Sequence, residues 1–346
     1  MNGAALNNAS LAELLARHGE EASGHLQRAC KRASRLAFLW PEEAYSLVSQ
    51  HRPLTELPGI GPHLARLLAQ WLATPPNLPE PTKTRHGFLT LTDARMILSR
   101  HPTWLRKVKG DLQMHTTWSD GSVTVSEMAE AGVAKGYEYV AITDHSQGLK
   151  IAGGMNEAKL ASQVSEIERV NRRFSDSGCK FHVLSSIEMN LNPDGAGDMS
   201  VETLASLNLV LGSFHSALRR TEDQTGRYLA ALKNPSVHIL GHPRGRIYNF
   251  RAGLNADWRR VFEVAASLDK AVEIDGFPDR QDLDVDLLRL ARSTGVRISL
   301  GTDAHRPDQL TFMEFSLAAA IQAEIPQERI LNFMPVQDLI AWAKNR

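Results

Sequence analysis

Cysteine is nearly absent from this 346-residue chain: Cys30 and Cys179 are the only two, and neither belongs to a C-x-x-C pair. They fit plain thiols, buried or half-buried, in a reducing cytoplasm rather than a disulfide framework. No apolar stretch approaches the ~20 residues needed to cross a bilayer. The opening MNGAALNNAS lacks the charged-then-apolar pattern of a secretory signal, so a cytoplasmic protein is expected, with no membrane partner. Low-complexity segments and solenoid repeats are also missing. Net charge is absent too, at +0, while 42% hydrophobic and 23% charged residues are ordinary for a globular protein. The length suits one large domain plus a small one.

The zero net charge conceals an asymmetry. Residues 1–82 balance seven basic against seven acidic side chains. Residues 83–109 then carry Lys83, Arg85, Arg95, Arg100, Arg106, Lys107 and Lys109 against Asp93 alone, and the remainder is net −6. A basic connector beside an acidic domain is expected either to attract a polyanion or to be a solvated linker.

Residues 5–73 read as helices, with apolar positions three and four apart and a break at Pro41. The proline-rich ATPPNLPEPTK (73–83) predicts an extended linker. TLTDARMILSRHP (90–102) predicts one helix, capped by Thr92 and ended before Pro102. The organisation expected is a helical domain over 1–80, a basic linker and helix over 81–108, and an α/β domain over 109–346.

LPGIGPHLARLLAQWL (57–72) has the form of a helix–hairpin–helix turn. Gly59 and Gly61 permit a tight turn that presents N–H groups at a helix start, with Pro62 suited to the first helical turn. Gly59, Ile60, Gly61 and His63 are therefore candidates for gripping a DNA phosphate, independent of sequence and often beside a monovalent cation. This stretch resembles the small amino-terminal domain of family X DNA polymerases. In members with deoxyribose-phosphate lyase activity the helix after the hairpin bears a Schiff-base lysine. Leu67 stands at that position here, flanked by Arg66, which argues against lyase chemistry.

From Asp111 onward seven apolar runs alternate with segments of helical length: DLQMH (111–115), YVAITDH (139–145), HVLSSIEMN (182–190), LVLGSFH (209–215), VHILGHP (237–243), AVEID (271–275) and RISLGTDAH (297–305). Such runs predict buried parallel strands. In a parallel barrel their carboxyl ends meet on one face. His115, His145, Glu188, His215, His242, Asp303 and His305, with Asp120 just past the first strand, would converge there as a multinuclear metal centre. His182 and His238 lie at strand starts and read as structural.

The pieces GDLQMHTTWSDG, AITDHS, SIEMNLNPDG, SFHSAL, NPSVHILGHPRGR and GTDAHRP closely resemble the PHP (polymerase and histidinol phosphatase) domain, in the version attached to bacterial family X polymerases. The resemblance implies a distorted seven-stranded (β/α)7 TIM-like barrel, preceded by the small all-α hairpin domain. It also implies three metal sites: Gln113, His115, Glu188 and Asp303; Glu188, His215 and His242; and Asp120, His145 and His305. Glu188, Asp303, His305 and Arg246 are the expected catalytic groups, and Lys150, Arg246 and Arg280 the expected phosphate clamps. Gln113 departs from the family's usual histidine, and an amide is the weaker ligand. Asp275 and Asn190 are expected to act behind the ligands. Two or three Mn²⁺, Zn²⁺ or Fe²⁺ ions suit this donor set, and spacing does not choose among them.

Clustered divalent ions suit phosphoester hydrolysis. With the hairpin and basic connector, the expected function is hydrolysis at nucleic acid ends, as a 3′→5′ DNA exonuclease or 3′-phosphatase in DNA repair, with a separate polymerase or repair partner. Only about 30 residues separate hairpin and barrel, too few for a polymerase palm. The alternatives are a small-molecule phosphomonoesterase, such as a histidinol-phosphate phosphatase, and a DNA-binding scaffold with structural metals.

Overall fold

The computed structural model describes residues 6–78 and 80–345; residues 1–5 of the helical domain, Pro79 of the linker and Arg346 lie outside it. Four helices, α1 (Asn8–Glu21), α2 (Gly24–Leu36), α3 (Ala44–Ser49) and α4 (Pro62–Ala73), make the amino-terminal unit. Their apolar faces close over Leu11, Leu15, Phe38, Trp40, Leu64 and Leu68, all buried. The Trp40 indole N–H donates to the Pro58 carbonyl at 3.0 Å and so fixes the hairpin to this core. Gly59 takes φ +81°, which a side chain would strain, and a Cβ there would lie 2.4 Å from Leu36 Cδ1 and push that side chain aside.

The connector is not a free linker. It leads into α5 (Leu91–Arg100) and α6 (Pro102–Lys107), which lie against the barrel. Leu91 and Ala94 pack on Phe315 and Ala318, while Leu98 and Trp104 join the main core. One local expectation is corrected here. The cap of α5 is Thr90, not Thr92, because Thr90 and Asp93 exchange hydrogen bonds as a capping box. Thr92 Oγ1 instead donates to Glu43 Oε1. Pro102 follows the end of α5, as expected, and starts α6, since proline is tolerated in a first turn.

Three of the connector's seven cations are paired within the fold. Arg85 is buried against Glu13 (2.8 Å), Arg95 meets Glu314 (2.9 Å), and Lys109 meets Glu138 (2.6 Å). Arg85 also donates to Asn249 Oδ1 of a barrel loop at 2.8 Å. That loop sends Tyr248 into the helical core, edge-on to Phe38 (4.7 Å) and Phe88 (5.3 Å).

The carboxyl-terminal unit carries β1 (Gly110–Asp111), β2 (Tyr139–Ile142), β3 (His182–Leu191), β4 (Leu209–Phe214), β5 (Ile239–Leu240), β6 (Ala271–Asp275) and β7 (Arg297–Gly301). All pair in parallel and in sequence order. The return from β7 to β1 is made by bonds such as His115 N–H to Ala304 O (2.8 Å), which nearly close the barrel. Between strands run α7 (Val125–Ala134), α8 (Glu157–Asp176), α9 (Val201–Ala205), α10 (Thr225–Lys233), α11 (Trp258–Ser267) and α12 (Val285–Thr294). After β7 come α13 (Met313–Gln322) and α14 (Val336–Lys344). This is the seven-stranded TIM-like barrel expected from the strand pattern.

The period-two alternation of strands sorts the side chains. Outward Ile187, Met189, Val210, Leu240, Val272 and Ile298 form the core beneath the helices. Inward, the amino-end layer is apolar (Tyr139, Leu184, Leu209, Ile239, Ala271) and rests on Leu339 and Trp342 of α14. Moving toward the carboxyl ends, the inward positions become polar: Glu188 and Asn190 on β3, Glu273 and Asp275 on β6. One end of the barrel is thereby plugged and the other left for chemistry.

Candidate metal centre

Glu188 sits at the centre of the polar end, 1% exposed, ringed by imidazoles. Its Oε1 lies 2.7 Å from His242 Nε2 and 3.1 Å from His215 Nε2; its Oε2 lies 3.1 Å from His145 Nδ1 and 3.4 Å from His115 Nε2. Asp303 Oδ1 approaches His115 Nε2 at 2.9 Å. Asp120 Oδ1 lies 3.4 Å from His305, 3.7 Å from His145 and 3.9 Å from His115. The rings of His115, His145 and His305 stack at 4.4 and 4.5 Å between centroids.

Three groups of donors draw together closely enough to hold an ion: His115–Asp120–His145–His305, His145–Glu188–His215 and His115–Glu188–Asp303. These groups overlap more than the residue-by-residue expectation, since His115 and His145 each serve two. His242 is joined to them through Glu188. Buried His115 Nδ1, His145 Nδ1, His215 Nε2, His242 Nδ1 and Glu188 Oε2 have no hydrogen-bond partner. Buried polar atoms are ordinarily satisfied, and several orphaned lone pairs in one pocket fit divalent cations.

The ring orientations agree. His305 Nδ1–H donates to the Asp303 carbonyl at 2.7 Å, and His215 Nδ1–H to Asn190 Oδ1 at 3.1 Å. Each bond leaves Nε2 with its lone pair toward a carboxylate, the tautomer a metal requires. Although burial opposes its charge, Asp120 and Asp303 hold His305 up at about 9, the sign of a strongly negative pocket. Asp303 is likewise buried, yet Arg280 and His115 keep its carboxyl below the usual range.

Local backbone features aim these groups. Gly121 lets the turn after β1 fold back over the site, since a Cβ there would lie 2.4 Å from His115 O. Asp144 holds the same turn, accepting from the Thr116 amide (2.8 Å), the Thr116 hydroxyl (2.6 Å) and Gln163 (2.6 Å). Asp303 adopts φ +53° and His242 φ +21°. Such strained φ values in non-glycine residues cluster at functional sites.

Gln113 stands over Glu273, which also accepts from the His242 amide at 2.7 Å. With its NH₂ toward Glu273, Gln113 donates to both carboxylate oxygens, at 2.9 and 2.5 Å. Burial and the charge of Asp275 push Glu273 well above the ordinary range. Gln113→His is expected to lower the Mn²⁺ concentration for half-maximal activity roughly tenfold and to raise the metal retained after dialysis. Unchanged metal content and half-saturation would show that position 113 is not a ligand.

The expected phosphate clamps divide. Arg280 reaches the site, its Nε 3.4 Å from Asp303 Oδ2. Lys150 is exposed on the turn Lys150–Ala152 after β2. Arg246 is corrected: it is 3% exposed and already engaged. Its Nη1 meets Asp284 at 3.1 Å, its Nη2 donates to the His86 and Gly87 carbonyls at 3.1 Å, and its guanidinium lies 3.7 Å from the Phe88 centroid. It fastens the connector to the barrel rather than clamping phosphate or taking part in catalysis.

At the hairpin, Gly61 and His63 are exposed but the Ile60 side chain packs into the core, and the Ile60 N–H donates to Leu57 O. Ile60 is therefore an anchor. The amides of Gly61, His63 and Leu64 remain as first-turn donors. The sequence reading missed Glu273 and Asp144. The alternation that turns Asp275 inward turns Glu273 inward as well, so that signal was present.

A parallel barrel with this polar cluster at its carboxyl ends has the donor set of a metal-dependent phosphoesterase. Residues 111–277 match the PHP domain, so the chain carries one. It is 38% identical over 241 residues to the "DNA polymerase/3'-5' exonuclease PolX" of Bacillus subtilis (strain 168), a match covering 69% of this chain and 42% of that protein. It is 26% identical over 230 residues to the "Probable phosphatase YcdX" of Escherichia coli (strain K12), covering 65% of this chain and 90% of that one. Histidinol phosphate phosphatase from Lactococcus lactis superposes with a TM-score of 0.45 at 18% identity, over 62% of this chain and 94% of that one. Among the described residues no helix is long and apolar enough to cross a membrane.

Proposed function

We propose that the chain hydrolyses phosphoesters at DNA 3′ ends, as a 3′→5′ exonuclease or a 3′-phosphatase. The observation that carries this is Glu188, a buried carboxylate within 3.4 Å of four imidazoles and bracketed by Asp120 and Asp303. Gln113, His115, Glu188 and Asp303 would hold one ion; Glu188, His215 and His242 a second; Asp120, His145 and His305 a third. Bound divalent ions supply Lewis acidity and a water that ionises near neutral pH. Asn190 and the Asp303 carbonyl keep two imidazoles in the metal-binding tautomer. Arg280 is placed to take a phosphoryl oxygen beside Asp303, and Lys150 offers a second cation on the rim.

Nucleic acid as substrate is supported by the Bacillus relative's exonuclease name and by the hairpin's exposed amides. Only the connector, α5 and α6 lie between hairpin and barrel, and Leu67 stands where a lyase lysine would, so neither polymerase nor lyase activity is included. Purified protein with Mn²⁺ is expected to hydrolyse 3′-phosphorylated or 3′-hydroxyl oligonucleotides, and chelation to stop it. Turnover of histidinol phosphate with both oligonucleotides untouched would contradict the proposal and favour a small-molecule phosphatase.

A further inference from the structure

A cavity of about 740 Å³ opens between the connector and the barrel loops that follow β4 and β5. Those loops leave the barrel directly after His215 and His242, and the lining takes in Leu218 and Arg244, three and two residues further on. One wall is the connector, at Pro81, Lys83 and His86; the other carries Arg219, Arg220, Arg244 and Arg251. With Arg246 the lining holds six cationic side chains; Asp284 engages Arg244 (2.6 Å) and Arg246 (3.1 Å) and Glu222 lies 3.6 Å from Arg220, leaving Lys83, Arg219 and Arg251 without a carboxylate on the lining. So much like charge in one recess calls for an anion with several charges.

An aromatic side chain stands beside it. Phe250, between Asn249 and Arg251, is 54% exposed, and the Arg219 guanidinium lies 4.8 Å from its ring centroid. An exposed phenylalanine with an arginine on its face, next to a multiply cationic groove, is the combination that receives bases by stacking and phosphates by charge. Arg251 links the recess to the chemistry. Its Nε donates to the Gly245 carbonyl, three residues past His242, and it lines the recess itself. No base-edge reader is needed for such a path.

We infer that this recess is the track of a single-stranded nucleic acid, with successive phosphates against Lys83, Arg219 and Arg251 and a base stacked on Phe250, delivering the 3′ end to the metal centre. The inference rests on the nucleic-acid reading of that centre and adds the place where the strand lies. It also gives the connector a role: it is one wall of the track, held in position by Arg246.

The test uses the full chain, chelated to prevent cleavage, and the fluorescence anisotropy of a labelled oligothymidylate of about twelve nucleotides, within the range one such groove covers. Lys83, Arg219 and Phe250 are all exposed, so their replacement leaves the core intact. Lys83→Ala with Arg219→Ala is expected to weaken binding and to flatten the plot of log affinity against log salt by about 0.7 per lost phosphate contact. Phe250→Ala is expected to weaken binding by about fivefold to a hundredfold with the salt slope kept, as for a lost stack. Arg172→Ala, on the far-exposed face of α8, serves as the charge control and should bind as wild type. Groove variants that bind and salt-titrate as wild type, in a protein that still cleaves oligonucleotides, would overturn the track alone. A wild type that neither binds nor cleaves them would overturn the track and the proposed substrate together. A mononucleotide that competes as well as the oligomer would mark a small-ligand pocket, and that too would overturn it.

Discussion

Glu188→Ala is expected to lower phosphoesterase turnover by about a thousandfold or more, equivalent to roughly 4 kcal/mol of barrier. The side chain faces His242 and His215 with one oxygen and His145 and His115 with the other, so it belongs to two of the three donor groups. Its removal takes the shared anion from both and leaves imidazoles facing one another. The loss should fall on kcat and on bound metal together, while the fold persists, because the apolar layers lie on the outer face and at the opposite end of the barrel. Circular dichroism like that of wild type with undiminished turnover would refute the shared-ligand assignment.

Tyr248→Ala should give the largest loss of stability outside the site, about 3–5 kcal/mol, the range for truncating a fully buried large aromatic. Tyr248 belongs to a barrel loop but is 1% exposed inside the helical unit's core, where it meets Phe38 and Phe88 edge-on. Edge-to-face pairs of this kind add about 0.5–1.5 kcal/mol each beyond the area they bury. The neighbouring Arg85 joins Glu13 to Asn249 across the same seam, so the damage should concentrate there. Urea denaturation should show the reduced midpoint, and limited proteolysis should cut the 74–90 segment faster. A change under about 1 kcal/mol, with proteolysis unaltered, would mean the two units do not depend on this contact.

The barrel was legible because its strands obey two simple periodicities: apolar runs of strand length, and polar donors at their carboxyl ends. Glu188, His215 and His242 lie far apart in sequence, yet parallel strand order alone brings them to one face. What stayed hidden depended on partners remote in the chain. Arg246 leaves a strand end in GHPRGR as a phosphate clamp would, but Asp284, Phe88 and the His86 carbonyl claim it, and no local pattern announces them. The connector's pairing stayed hidden for the same reason: Glu13, Glu314 and Glu138, which meet three of its seven cations, come from distant parts of the chain. The cationic recess was illegible because Lys83, Arg219, Arg244 and Arg251 are dispersed over some 170 residues and meet only in the fold. Thr90 and Thr92 show the local limit, since both stand at the helix start and only the reciprocal bond with Asp93 selects Thr90 as the cap.

The most direct test of the central claim is metal stoichiometry. Protein equilibrated with Mn²⁺ and freed of unbound ion should hold two or three equivalents per chain, in keeping with three overlapping donor groups, and Glu188→Ala should lose at least one. One equivalent or none in the wild type, or the same count in the variant, would contradict a multinuclear centre built around Glu188.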